Sequence, residues 1–328
     1  MTARRFILAV LCLCGGICCA AVSCLDVEDA LRRALAERGI RQGHDAETGV
    51  CTVIASASKK GAQPYACFRM AELKALHQIL NMRSQTMSGA TAVRRDEAAK
   101  TVRSFVETLS RADLDGCLLV DFRGQKNGDG WVVAVAMCWS EDLESRARAS
   151  ASGALHPADS WVDELKRLVD GCDGELLPPT LSFVDSKGFF HRTGVGVARV
   201  GGESPLQRDA AARAADLLAR KNLQLALYGR AAMRKKAELM KSWSRPDGGG
   251  SLSSVYEALG EVPAEGPLPE GSRSVYDKVV QSEDGSTAFV VVYGVVQAKT
   301  VGTGRPTAEA ASGDVLIWNP GTGKFEKQ

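Results

Sequence analysis

A chain of 328 residues with 45% hydrophobic content is long enough to bury a sizeable core and suits two domains of ordinary size. Its 41 basic and 39 acidic residues nearly cancel, and removing residues 1–23, which carry two Arg and no acid, leaves 39 of each. Such a neutral chain lacks the clustered cations that nucleic acid or a polybasic membrane-surface role requires, so neither is an expected partner.

Arg4 and Arg5 precede the apolar run Phe6–Cys14, and small residues lead into Ala21-Val22-Ser23-Cys24. Charged, apolar, then small is the order of a secretory signal peptide, so the protein is expected in the periplasm or outer membrane, or secreted. Ala21-Val22-Ser23-Cys24 also resembles a bacterial lipoprotein processing site, with Cys24 as the lipidated first residue and Ala21 where Leu is usual. Cleavage after Ala21 or Ser23 is one alternative, and retention of Phe6–Val22 as an anchor helix is another. No later apolar run approaches the roughly 18 residues of a membrane span, so attachment is expected only through the N-terminus. Leu25, directly after Cys24, is not an inner-membrane retention signal, which leans towards the outer membrane.

Residues 24–150 read as a first unit. Leu25–Arg38 carries Val27, Leu31 and Leu35 four apart, a helical stripe with Glu28 and Asp29 in its first turn. Val50–Ala57 (VCTVIASA) suits a strand, and Pro64 opens a helix with Phe68, Ala71, Ala75, Ile79 and Met82 on one stripe, ending near Gly89. A further helix is expected over Arg94–Arg111. Gly116–Arg123 and Trp131–Trp139 then form a hairpin about Asn127-Gly128 or Asp129-Gly130.

The pattern returns after a connector, 151–190, that holds a short helix at Trp161–Val169. In the second unit, 191–298, Thr193–Val200 (TGVGVARV) is a strand. Pro205 opens a helix with Leu206, Ala210, Ala214, Leu217, Leu218 and Leu225 on one face. That helix should end near Gly229, with Ala231–Trp243 extending or following it, and Ser274–Val280 and Thr287–Val296 form the hairpin. The nearly continuous apolar runs VVAVAMCW and AFVVVYGVV mark central strands covered by helices. Pro246–Ser251 and Val262–Gly271 are turn-rich breaks, and residues 299–328 close the chain in a hairpin. The fold class is therefore α+β: two βαββ units, each a small antiparallel or mixed sheet packed against a long helix.

Candidate chemistry is sparse. Of ten cysteines, four lie in the leader and Cys24 is the lipidation candidate, leaving Cys51, Cys67, Cys117, Cys138 and Cys172. With Asn127-Gly128 as a two-residue turn, Cys117 and Cys138 fall opposite each other, a geometry that permits a disulfide; burial of each thiol as a small hydrophobe is the competing reading. His44, His77, His156 and His191 are scattered singly, and only Cys51, Cys67 and His77, where strand and helix pack, form a set with any claim on zinc. No cofactor or metal is expected. Asn319–Lys324 lacks the Ser/Thr and helix that a phosphate loop needs, and Gly194-Val-Gly lacks the third glycine of a dinucleotide fingerprint. Those glycines are better explained as letting a helix approach a strand. Trp139, Trp243 and Trp318 end or occupy strands and a helix, where an indole serves either the core or an interface.

The unit Gly194-x-Gly-x-Ala in a strand, a break, an Ala-rich helix (Gln207–Asp216) and a hairpin resembles a repeat of Gram-negative envelope proteins. The N-terminal domain of flagellar assembly protein T and related outer-membrane lipoprotein domains share it. The resemblance covers about 110 residues of the second unit and extends loosely to the first, where VCTVIASA lacks the glycines. It implies a non-catalytic envelope component that binds or scaffolds other envelope proteins, and it carries over no catalytic residue. A periplasmic module that holds a small molecule, glycan or cell-wall fragment in a cleft between the units is the alternative, and an enzyme is the third reading.

Overall fold

The computed structural model describes residues 22–61, 64–88, 105–106, 109, 116–151, 165–166, 169, 176–185, 188–202, 204–243, 252–281, 285–295, 316–319 and 324–327. In chain order the first elements are α1 (Cys24–Glu37), β1 (Gly43–His44), β2 (Cys51–Lys59), α2 (Pro64–Ser88), β3 (Leu118–Asn127), β4 (Gly130–Trp139) and α3 (Glu141–Ala151). They are followed by β5 (Thr180–Val184), β6 (Phe190–Arg199), α4 (Pro205–Trp243), α5 (Leu252–Gly260), β7 (Ser272–Gln281), β8 (Thr287–Val295), β9 (Leu316–Asn319) and β10 (Lys324–Lys327).

Two four-stranded sheets, β1-β2-β4-β3 and β5-β6-β8-β7, have the same strand order, and every pairing is antiparallel. The fold is α+β, and each βαββ unit gains a leading edge strand, so the repeat is ββαββ. Those edge strands escaped the sequence reading for physical reasons. β1 is two residues long, and β5 is a five-residue run directly after two prolines, whose short Leu181/Phe183 alternation was passed over as connector. β9 and β10 pair in the expected closing hairpin.

Burial explains why β4 reads as one apolar run. Val133, Val135, Met137 and Trp139 face α2 and its residues Cys67, Phe68, Ala71, Ala75 and Ile79. Val132, Ala134 and Ala136 face Val27, Leu31 and Leu35 of α1. Each of those three α1 side chains adds about 2 kcal/mol of apolar burial. Ser23 starts α1 with a capping box: its hydroxyl accepts from the Asp26 amide at 3.2 Å, and the Asp26 carboxylate accepts from the Ser23 amide at 2.9 Å. The second sheet is likewise covered on both faces. Val195, Val290 and Val292 meet Leu165 and Val169, while Val291 and Tyr293 meet Ala215, Ala219 and Leu223 of α4.

The contact of α4 with β6 differs from the expectation. The buried stripe is Ala211, Ala215, Ala219 and Leu223, whereas Leu206 is 80% and Leu217 65% exposed. Gly194 and Gly196 are the cause. A Cβ on Gly194 would lie 2.1 Å from the Leu223 amide nitrogen, and one on Gly196 would lie 1.9 Å from the Ala215 carbonyl oxygen. Backbone therefore packs on backbone, as expected for these glycines, and so close an approach favours small side chains where helix and strand are nearest. Ala211, Ala215 and Ala219 fill the contact together with Leu223, and Leu206, Leu217 and Leu218 turn outward.

Gly229 does not end this helix, which runs unbroken for 39 residues, about 58 Å. Its first half lies on the second sheet. Its second half sends Met233 and Ala237 into the core of the first unit, beside Val255, Tyr256 and Leu259 of α5. Arg230 donates to the Cys117 carbonyl at 3.1 Å across the same junction. Both α3 and α5 lay in stretches not expected to be helical. For α3 the missed signal was Ser140, whose hydroxyl accepts from the Leu143 amide at 3.1 Å, followed by Glu141, Asp142 and Glu144 in the first turn. Of the helices expected at 94–111 and 161–169, Phe105, Val106, Leu109, Leu165, Lys166 and Val169 are helical, and the remainder lie outside the described residues.

Candidate functional site

A cleft of about 290 Å³ opens where the start of α2, the middle of α4, the end of α5 and the segment after it converge. Its polar wall holds Lys59, Arg69, Lys221, Glu257 and Glu261, and Met70, Leu225 and Pro263 are among its apolar residues. Lys59, the last residue of β2, pairs with Glu257 of α5 at 3.6 Å. Arg69 sits on the second turn of α2 and is only 5% exposed. Its Nη1 pairs with Glu72 one turn on, its Nη2 lies 3.8 Å from the Met233 sulfur of α4, and its Nε has no hydrogen-bond partner among the described residues. A larger, open concavity of about 670 Å³ runs along residues 39–48, lined mainly by loop.

Beside this cleft lies the outward face of α4. Leu206 and Leu217 are 11 residues apart, three turns at 3.6 residues each, so they share one azimuth with Leu218 next to it. Two (i, i+4) ion pairs, Asp209–Arg213 and Asp216–Arg220, flank the strip. The next turns of the helix supply exposed Lys221 and buried Leu225 to the cleft wall.

Reactive groups elsewhere are held in structural roles. Burial depresses the His77 pKa to about 4 and pushes Tyr256 up to about 12, so both are neutral, and Nδ1 and the hydroxyl share a hydrogen bond of 2.7 Å. Buried His191 contacts Asp185 at 2.9 Å through Nε2 and stacks on Phe183, while the other Asp185 oxygen accepts from the Phe189 amide. This pair ties the β5–β6 turn. Cys51, Cys67 and His77 do not converge: Cys51 sulfur lies 3.3 Å from the Met82 sulfur, Cys67 donates to the Trp131 carbonyl, and His77 meets Tyr256. Cys51 and Cys67 lie towards opposite ends of β2, opposite Trp139 and beside Trp131 respectively. Among the described residues no three His, Cys, Asp or Glu side chains gather as a metal site.

The expected facing of Cys117 and Cys138 is corrected by two features of the hairpin. Its loop is Gly128-Asp129, closed by Asn127 opposite Gly130, with Gly128 at φ 61°. A bulge between Leu119 and Asp121 then sets Leu118 opposite Cys138. Cys117 packs in the α2-side core and Cys138 on the opposite face with Leu143 and Phe190, and both are thiols.

Trp139 serves the core rather than an exposed interface. It is 8% exposed, donates from Nε1 to Glu144 at 3.0 Å, and lies under the Arg83 guanidinium at 4.2 Å. The side chains of Trp243 and Trp318 lie outside the described residues, as does Cys172. Cys24 is the first residue of α1 and packs partly against its core. The two residues before it are also engaged, Ser23 as the cap and Val22 by accepting from the Asn127 side chain at 2.9 Å.

No protein-family model matches the chain, and no curated protein matches it. A hypothetical protein from Francisella tularensis of known crystal structure has a similar fold, with a TM-score of 0.53 over 85% of this chain and 92% of that one. At 13% identity this likeness shows the fold alone.

Proposed function

We propose that this protein is an exported, non-catalytic component of the cell envelope that binds or scaffolds other envelope proteins through the outward face of α4. The observation that carries the reading is the inversion of that helix, which buries alanines and exposes Leu206, Leu217 and Leu218. A helix whose larger apolar side chains face water is suited to a partner that covers them. The non-catalytic part is supported by the burial of the thiols and by the roles of His77 and His191 within the packing. Export rests on the leader, and the resemblance to envelope repeats accords with it.

For processing, the engagement of Val22 and Ser23 favours cleavage after Ala21 over lipidation of Cys24. Lipoprotein processing would remove the cap of α1 and leave a lipidated sulfur against a packed face. Intact mass of the protein from its own host decides this: a chain beginning at Val22 supports it, and a diacyl or triacyl mass on Cys24 refutes it.

The binding reading is tested by cross-linking in the native envelope with wild type and a Leu206→Glu, Leu217→Glu double variant. A partner captured by the wild type and lost from the folded variant supports the reading. An identical set captured by both sinks it. A second reading, a small-molecule module, is favoured by the cleft at Arg69.

A further inference from the structure

The outward face of α4 is covered by its own chain along only part of its length. From Gln224 onwards the segment after α5 lies over it: the Gln224 side chain donates to the Gly266 carbonyl at 2.7 Å, and the Tyr228 hydroxyl donates to the Pro267 carbonyl at 2.6 Å. Nearer the start of the helix, Leu206, Ala210, Arg213, Leu217 and Lys221 are all exposed, a bare stretch of about 22 Å.

The pattern on that stretch reads the same in both directions. Leu206, Ala210, Ala214 and Leu218, four apart, form one row along the helix, large-small-small-large. Reversing the row sets Leu206 opposite Leu218 and Ala210 opposite Ala214, with the small pair at the centre, where two helices come closest. On the neighbouring row, Pro205, Asp209, Arg213 and Leu217, the same reversal exchanges carboxylate and guanidinium. The midpoints of the two rows, at Ala212 and Ala211, differ by one residue, a rise of about 1.5 Å, so a single two-fold axis serves both. The Asp209 and Arg213 side chains are 72% and 82% exposed, and so exposed a pair at 3.6 Å contributes little within its own helix. Arg220 is placed differently, with its guanidinium over the Tyr293 ring at 5.0 Å, and Asp216 pairs with it there.

We propose that the bare half of α4 pairs antiparallel with the same helix of a second copy of this chain, Leu206 against Leu218 and Asp209 against Arg213 of the other copy. The proposal rests on the reading of this face as a docking surface and names its occupant. One helix stretch on each side is a small contact beside that of a permanent dimer, so the association is weak and reversible.

Sedimentation velocity of the full mature chain tests the pairing. Wild type should pass from monomer to dimer between about 1 and 100 µM. Leu217→Glu, at an exposed position, should weaken dimerisation by about tenfold or more. Asp209→Arg and Arg213→Asp should each stay monomeric, because like charges then meet across the axis. An equimolar mixture of those two variants should dimerise again, since one chain brings only cations to these positions and the other only anions. A role confined to the helix of one chain would not be rescued by mixing. A wild type still monomeric at about 200 µM, a dimer indifferent to Leu217→Glu, or a mixture that stays monomeric would each overturn the proposal. Monomeric wild type whose native cross-links still depend on Leu206 and Leu217 would remove the second copy and leave the docking surface standing. Monomeric wild type with cross-links indifferent to those leucines would remove both.

Discussion

Asn222 of α4 donates its side-chain amide to the Val195 carbonyl of β6 at 2.6 Å, between the two glycines that bring helix and strand together. The bond and the glycines make one device, because the amide reaches the strand only where nothing projects from Gly194 and Gly196. Gly196→Ala should destabilise the protein by about 3 kcal/mol through overpacking, and Asn222→Ala by about 1–3 kcal/mol through a buried carbonyl that loses a donor. Urea unfolding of both variants checks this; a Gly196→Ala protein as stable as wild type would remove the close-contact account.

The inverted helix makes opposite predictions for its two faces. Ala219→Leu adds volume to a fully buried contact and should cost about 3 kcal/mol. Leu217→Ser alters a largely exposed side chain and should shift stability by no more than about 0.5 kcal/mol. Equal losses in the two unfolding midpoints would mean that the helix is rotated from the orientation described.

His77 gives the protein an acid sensitivity of definite sign. Its pKa falls from 6.5 to about 4 on folding because burial disfavours the imidazolium. The unfolded chain therefore takes up a proton near pH 6.5 that the folded chain refuses until about pH 4. Its contribution is full above pH 6.5 and is lost as the pH falls to 4, by about 3 kcal/mol in all. His77→Gln should flatten that slope by one proton, measured by urea unfolding at pH 7 and pH 4.5.

Desolvation pushes the Cys51 thiol up to about 11 and raises those of Cys67 and Cys138. At pH 8 the folded protein should therefore protect Cys51, Cys67 and Cys138 from iodoacetamide, and urea should expose them. Mass-resolved labelling reads this directly. A Cys117–Cys138 cystine in protein isolated without reductant would contradict the bulged register.

What the sequence made legible was periodic. The alternation of strand, long helix and hairpin, the central runs VVAVAMCW and AFVVVYGVV, and the glycine contact in β6 were all visible in side-chain pattern. Leu206 and Leu217 were misplaced because hydrophobic periodicity assigns the larger apolar residues to the core. Here Gly194 and Gly196, on the strand just before the helix, set a contact so close that the alanine stripe was the better fit, a depth that periodicity does not encode. Cys117 and Cys138 were misaligned because the turn is Gly128-Asp129 rather than Asn127-Gly128, and the bulge after Leu119 restores only part of that shift. Arg69 passed as one charge among many on a helix, since its burial depends on Met233, 164 residues further on.

The span of α4 across both sheets bears on how the molecule comes apart. A fragment ending before residue 205 would keep the first sheet but lose Met233, Ala237, Val255, Tyr256 and Leu259 from its hydrophobic interior. The two repeats, alike in topology, are thus not separable modules that evolution or a protease can part at the linker. Amide exchange should report them opening together, with the slowest protons of both sheets sharing one free energy.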